Sequence, residues 1–188
     1  MDFRKNNYSD TLVLDVETGG LNSNTNAVCS VSFLFPGEII PKTIYIQPYG
    51  LIYEKEALEI NGLTKEFLKD NGVPVEDFRI LFVSEISKYF KPGQRIKLLG
   101  HNISFDIGFL KRLLTEPLYN EIFHYHFKDT MVLAHMFKDN NKFEKLESLS
   151  LFRVYRYLFD DGMEQSAHKS DMDVMMTIKV YNKLIDTF

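Results

Sequence analysis

The segment Thr11-Leu12-Val13-Leu14-Asp15-Val16-Glu17 constrains this chain more than any other. It is short, rich in β-branched and apolar residues, and stopped by Gly19-Gly20, the composition of a strand and its turn. Side chains alternate along a strand, so Leu12, Leu14 and Val16 share one face while Val13, Asp15 and Glu17 share the other. Asp15 and Glu17 then leave the sheet together, about 6.5 Å apart along the strand. A carboxylate inside an apolar strand is costly unless it is paired or bound to a cation. Two readings follow. Either both acids reach one hard cation, or the strand ends near Asp15 and both are solvated.

The rest of the chain alternates between the two periods. Strands are expected at about 27–35 and 39–47, joined as a hairpin through Pro36-Gly37-Glu38. Short helices are expected from Glu54 to Ile60, closed by Asn61-Gly62, and from Thr64 to Lys69, opened by a cap residue. A longer one spans Val75 to Tyr89, before Pro92-Gly93. Arg95 to Gly100 reads as a buried strand, and 103–114 as a helix with Ile103, Ile107, Leu110 and Leu114 on one face. A fifth strand is expected near 123–128, then helices at about 129–137, 145–158 and 171–186. A hairpin followed by alternating strands and helices predicts an α/β fold: a central mixed five-stranded sheet flanked by helices. In such sheets, sites gather where strand ends meet helix starts.

The chain has 188 residues without repeat or linker, so one domain is expected over 1–188, with 1–10 as a tail or short lead-in. Its single cysteine, Cys29, lies in the apolar run Val28-Cys29-Ser30-Val31 and reads as a small buried thiol. No apolar run approaches membrane-spanning length, and the first ten residues lack a signal-peptide core, so a cytoplasmic protein is expected, with no membrane partner. The net charge of −4 argues against a module that coats nucleic acid by electrostatics alone. It does not argue against a nuclease whose acidic cluster is offset by bound cations.

Three further groups carry chemistry. Asp106 follows His101-Asn102-Ile103-Ser104-Phe105, at the start of a helix that comes directly after a buried strand. An acid there is also stabilised by the helix dipole, with Asn102 or Ser104 as cap. Asp173 lies three residues after Ser170, a pair that matches a capping box with Asp in place of Glu or Gln. His168 precedes that helix and titrates near neutrality, as a general base must. Together they share one chemistry. Two-metal phosphodiester hydrolysis needs oxygen ligands holding cations roughly 3.5–4 Å apart, and Mg²⁺ prefers few carboxylates plus water and substrate oxygens. His101 reads as a structural hydrogen-bonding residue and Asp129 as a cap or structural acid. Lys111, Arg112, Arg153, Arg156 and Lys169 are cations that could steer phosphates.

These motifs resemble those of the DEDDh 3′–5′ exonucleases. The first is Leu14-Asp15-Val16-Glu17-Thr18-Gly19-Gly20-Leu21, and the second His101-Asn102-Ile103-Ser104-Phe105-Asp106-Ile107-Gly108-Phe109-Leu110. The third is a histidine five residues before an aspartate, His168 and Asp173. Two secondary patterns accompany them, Ala57-Leu58-Glu59-Ile60-Asn61-Gly62-Leu63-Thr64 and Asp129-Thr130-Met131-Val132-Leu133-Ala134. The resemblance spans about residues 11–185, departing only at Gly20, where the family often has Thr-Gly. It implies a ribonuclease H-like fold and two divalent cations, Mg²⁺ or Mn²⁺. It assigns Asp15, Glu17 and Asp173 to the nucleophile-side cation, Asp15 and Asp106 to the second, and His168 to the proton of the attacking water.

The resemblance also implies that the turn Thr18-Gly19-Gly20 approaches the 3′-terminal nucleotide with its amides, and that Leu21, Ala57, Ile60 and Leu63 line the terminal base. A glycine turn permits such close approach. Asn102 and Phe105 are further candidates for substrate contact, Phe105 otherwise packing in the core. The expected substrate is the 3′ end of single-stranded DNA or a frayed duplex, released as nucleoside 5′-monophosphates. The alternatives are RNA or oligoribonucleotides, and a non-catalytic nucleic-acid-binding or polymerase-docking module. A DNA polymerase or repair factor is the macromolecular partner left open. The sequence closes at Phe188 after its last expected helix, so a free-standing nuclease is expected at least as readily as a polymerase subunit.

Overall fold

Strand β1 (Thr11–Thr18) runs through the middle of a five-stranded sheet, between β2 (Val28–Leu34) and β4 (Lys97–Gly100). The structure, a computed structural model, describes residues 9–140, 142–143, 146–159 and 170–187. Strands β3 (Lys42–Tyr45) and β5 (Lys128–Asp129) complete the order β3-β2-β1-β4-β5. The β1–β2 and β2–β3 pairs are antiparallel, and β1–β4 and β4–β5 are parallel, so the sheet is mixed as expected.

Both faces of β1 are buried, each against a different layer. Leu12, Leu14 and Val16 enter a core with Phe33, Phe78, Phe82, Phe109 and Leu110. That layer is α3 (Val75–Ile86) and α4 (Ile103–Leu114). Val13 packs on the other face with Leu34, Leu99, Val174 and Ile178, beneath α8 (Ser170–Ile185). Helices α6 (Thr130–Asp139) and α7 (Leu151–Phe159) lean on α8 through Ala134, Phe137, Val154, Tyr155, Met176 and Val180. Among the described residues, no helix is long and apolar enough to cross a membrane.

Local chemistry accounts for most element ends. Helix α1 (Lys55–Asn61) stops at Gly62, which takes φ 67°, a left-handed conformation that glycine adopts without strain. Helix α2 (Lys65–Asn71) opens at Thr64, whose hydroxyl accepts from Phe67 N at 3.0 Å.

The differences from expectation also have causes. Helix α3 ends at Ile86 rather than Tyr89. Tyr89 leaves it to stack on Phe35, with centroids 4.0 Å apart, and its hydroxyl donates to Glu38 at 2.8 Å. The fifth strand is two residues long. Its expected beginning is a single bridge of Phe123 to Ile96, which α5 (Glu116–Ile122) delivers. Helix α5 was not expected; Pro117 in its first turn is tolerated because its missing N–H would have had no helical partner there. Helix α7 begins at Leu151, later than the expected 145.

The aromatic centre of the larger core should dominate stability. Phe82 is fully buried, with its ring 5.2 Å from Phe33 and 5.3 Å from Phe78. Phe82→Ala is expected to cost about 3–5 kcal/mol, read as a lowered denaturation midpoint with an unchanged slope.

Candidate active site

Asp15 and Glu17 leave β1 on the α8 face, at the end where the sheet opens. Pairing of β1 with β2 slips between Glu17, opposite Ser30, and Thr18, opposite Val28. Such a bulge bends the strand and re-aims the side chains beside it. Asp173 comes from the first turn of α8 and completes a ring: one carboxylate oxygen from each of Asp15, Glu17 and Asp173 lies within 4.8 Å of the others. Ser170 fixes the start of that helix. It is buried, and its hydroxyl lies 2.6 Å from that of Ser32 on β2, which is in turn 2.6 Å from the Thr43 hydroxyl on β3. Ser170 is the first described residue of α8, and its hydroxyl anchors that helix to the sheet.

Asp106 reaches the same strand from its other edge. Parallel pairing of β1 with β4 ends at Val13 and Leu99, and the Asp106 carboxylate takes the place of a strand partner by accepting from Val16 N at 2.9 Å. Its helix is held by Asp129. The Asp129 carboxylate accepts from Met131 N at 2.8 Å, Asn102 N at 2.9 Å and Ile103 N at 3.1 Å, so one side chain caps both α6 and α4. This corrects the expectation for Asn102 and Ser104. Asn102 is the residue before α4, in a left-handed conformation (φ 60°), and its side chain makes no capping bond. His101 is structural, as expected. Its Nε2 lies 2.9 Å from the Leu149 carbonyl, which requires the proton on that nitrogen, and its Nδ1 lies 2.8 Å from the Thr130 hydroxyl.

The crowding sets the electrostatics. Burial, then the charges of Asp106, Asp173 and Glu17, hold the Asp15 carboxyl well above its ordinary value. Glu17 is pushed up to about 8 by burial, then by Asp173 and Asp106. Asp106 is also raised to about 8, chiefly by burial, against the opposing effect of the Val16 amide. Cys29, beneath the bulge, is pushed up to about 12 by burial and the Glu17 charge, which leaves it an inert thiol. Among the described residues the donors gathered here are carboxylate oxygens, too crowded to ionise fully alone, a set that fits hard divalent cations.

The expected substrate residues surround this ring unevenly. Thr18, Gly19 and Gly20 are buried, Leu21 projects at 84% exposure, and Ile60 stands exposed, with Ala57 and Leu63 half-buried. A cavity of about 390 Å³ opens beside Glu17, bordered by Thr43, Tyr45, Leu63, Phe67 and Asp171. Asn102 is exposed at the end of β4; Phe105 is half-buried against the larger core, 5.0 Å from the Phe109 ring. His168 and Lys169 lie outside the described residues. Arg112 is bound to the Asn26 carbonyl and Lys111 is 3.9 Å from Glu116, so both serve internal contacts, whereas Arg153 and Arg156 are exposed. Asn61, expected only as a helix end within a secondary pattern, and Asn26, which sequence reasoning did not single out, hold the Thr18–Leu21 turn. Asn61 donates to the Thr18 carbonyl at 3.1 Å, and Asn26 donates to the Gly19 carbonyl at 3.2 Å. Their partners are distant in the chain, so no local spacing marks them.

A family model described as an exonuclease, RNase_T, matches residues 12–181. The ribonuclease T of Vibrio campbellii (strain ATCC BAA-1116) is 32% identical over 114 residues, covering 53% of this chain and 52% of that protein. The ribonuclease T of Vibrio vulnificus (strain YJ016) is also 32% identical over 114 residues, covering 53% and 51%. The chain thus spans about half the length of these relatives. E. coli exonuclease I in complex with a dT13 oligonucleotide superposes with a TM-score of 0.74 at 19% identity, covering 94% of this chain and 41% of that one. The product-bound exonuclease I structure gives 0.71 at 18% identity, covering 94% and 43%.

The raised carboxyls make stability depend on pH in a defined direction. Glu17 and Asp106 ordinarily titrate at 4.5 and 3.8 and do so at about 8 in the metal-free fold. The folded state therefore binds more protons than the unfolded one across that window, so stability falls as pH rises from about 4 to about 8. A divalent cation competes with those protons and binds the folded state, so its effect should grow with pH. In EDTA the thermal midpoint is expected to be higher at pH 5.5 than at pH 8, and Mn²⁺ should raise it more at pH 8. An equal rise at both values would contradict the assignment.

Proposed function

The chain belongs to the RNase_T exonuclease family, on the ribonuclease H-like α/β fold, and from that premise we propose that it removes nucleoside 5′-monophosphates from the 3′ end of a single-stranded nucleic acid. The observation that carries this reading is the convergence of Asp15, Glu17 and Asp173 within 4.8 Å, with Asp106 on the opposite edge of the same strand. A non-catalytic docking module would have no need of four crowded carboxylates.

In this reading Asp15, Glu17 and Asp173 would hold one cation, and Asp15 and Asp106 a second. Asp15, which shares β1 with Glu17 and feels the charges of Asp106 and Asp173, would be the ligand common to both. When bound, the two cations supply acidity to a water molecule and positive charge beside the phosphate under attack. His168 accepts the proton of that water. The water oxygen bonds to the phosphorus of the last phosphodiester as the bond to the 3′ oxygen of the preceding nucleotide breaks. That oxygen takes up a proton and becomes the new 3′ hydroxyl, and the phosphate departs as the 5′-phosphate of the mononucleotide. Leu21 and Ile60 offer exposed apolar surface to the terminal base, and the cavity beside Glu17 has room for part of the terminal nucleotide.

Single-stranded DNA is the first reading of the substrate. The name ribonuclease T, carried by the relatives at 32% identity, favours the second reading, an RNA 3′ end. Discrimination between them turns on contacts to the 2′-hydroxyl.

A panel of 3′- and 5′-labelled single- and double-stranded DNA and RNA, with Mg²⁺ or Mn²⁺, tests the proposal. Mononucleotide should leave first from the 3′ label, and EDTA should stop it; binding without cleavage would sink the reading. Asp15→Asn is expected to lower turnover at least about a thousandfold by removing a bridging ligand. His168→Ala is expected to lower it about a hundredfold or more while Mn²⁺ affinity holds.

A further inference from the structure

We propose that Asn26 is a positioning residue that pre-organises the turn Thr18–Leu21 for the terminal nucleotide, an inference that rests on the proposed exonuclease function. Asn26 is 1% exposed, and its carboxamide is fully used. Oδ1 accepts from Asn22 N at 2.9 Å, and Nδ2 donates to the Gly19 carbonyl at 3.2 Å and to Glu54 Oε1 at 2.8 Å. Among uncharged side chains only a carboxamide offers an acceptor and two donors on one planar group. Its main chain is engaged as well. Asn26 N donates to the Asn22 carbonyl at 2.8 Å, and its own carbonyl accepts from Arg112 on α4. One residue thus ties the end of β1, the tip of the loop, the start of α1 and α4 to one another.

The turn has no room to adjust around it. A Cβ on Gly20 would stand 2.3 Å from Asn26 Nδ2 and 2.7 Å from Glu54 Oε1, and Gly20 takes φ 153°, which other residues rarely adopt. A Cβ on Gly19 would stand 2.8 Å from the Ile52 carbonyl. The Gly19 carbonyl also accepts from Glu54 N at 2.7 Å, and the Thr18 hydroxyl donates to the Gly20 carbonyl at 2.7 Å. What emerges from this closed network is Leu21, 84% exposed. A turn so tightly bonded that ends in an unburied leucine holds an apolar side chain in solvent at a fixed place, directly after a glycine pair and four residues beyond Glu17. Ordering such a loop before the substrate arrives lowers the entropic cost of binding rather than the barrier of the chemical step. Asn26 therefore acts on KM, and the carboxylate ring on kcat.

The test is steady-state kinetics on a single-stranded oligonucleotide together with hydrogen–deuterium exchange of peptides covering 10–16 and 17–27. Asn26→Ala is expected to raise KM roughly tenfold with kcat within about twofold, and to speed exchange in 17–27 alone. Asn26→Asp should be worse than Asn26→Ala, because it sets a second acceptor against the Gly19 carbonyl and the Glu54 carboxylate. Adding Glu54→Gln to Asn26→Asp should recover part of the loss. Glu54→Ala, a change at an exposed residue, gives the same direction with a smaller rise in KM should the Asn26 variants not fold. Faster exchange with unchanged KM overturns the inference, as does an equal loss in kcat. If the wild-type protein releases no nucleotide, the exonuclease reading fails, and unchanged exchange in 17–27 still refutes the role of Asn26.

Discussion

Four carboxylates at one end of β1 repel one another and lose hydration together. Asp106 gains the Val16 amide, but burial still carries it far above its ordinary value. A fold that concentrates negative charge this way holds it in place by packing, and the surroundings follow from that need. Ser170 is tied to Ser32 so that α8 starts where Asp173 can face β1. Asp129 spends both oxygens on amides of α4 and α6, fixing the turn from which Asp106 projects. A cation that relieves the repulsion is then met by ligands already in place, which is where electrostatic pre-organisation draws its strength.

The same constraint explains why β1 sits at the centre of the sheet. Its lower half must be dry on both faces to anchor the acids, and it is: Leu12 and Leu14 lie under α3 and α4, and Val13 lies under α8. Its upper half must be open on one edge to admit Asp106. Parallel pairing with β4 ends at Val13, whereas antiparallel pairing with β2 continues to Thr18. The crevice where β4 falls away while β2 persists is the place where open α/β sheets gather ligands.

Much of this was legible in the sequence because it is local. The alternation along Thr11–Glu17, the cap at Thr64 and the left-handed Gly62 each depend on residues within one turn or strand. Asp106 and Asp173 could be placed at helix starts, where each also had a satisfactory local explanation, as dipole or cap; only the tertiary fold brings them both to β1. Residues whose partners lie far along the chain were not legible. Asp129 was readable as a cap for α6 but not for α4, whose amides are 26 and 27 residues away. Asn26 left no trace, since its side chain is bonded across separations of 4, 7 and 28 residues with no repeating period. The end of α3 was misjudged for the same reason: Tyr89 exchanges a helical position for a stack on Phe35, 54 residues earlier.

On the proposed function, this architecture divides recognition from chemistry. The carboxylate ring is borne by a strand and two helices, where position is set by packing. The turn that would meet the terminal nucleotide follows directly in the chain, and its geometry is set by hydrogen bonds to Asn26, Asn61 and Glu54. A chain with a net charge of −4 cannot rely on broad attraction to phosphates. It must select a strand end by shape. A fixed turn with glycine at two successive positions and an exposed leucine at its tip does this, because a free 3′ end can enter a closed turn where the interior of a strand cannot. On that function, selectivity for ends would come from the rigidity of Gly19–Leu21, and hydrolysis from cations gathered by the crowded neighbouring carboxylates.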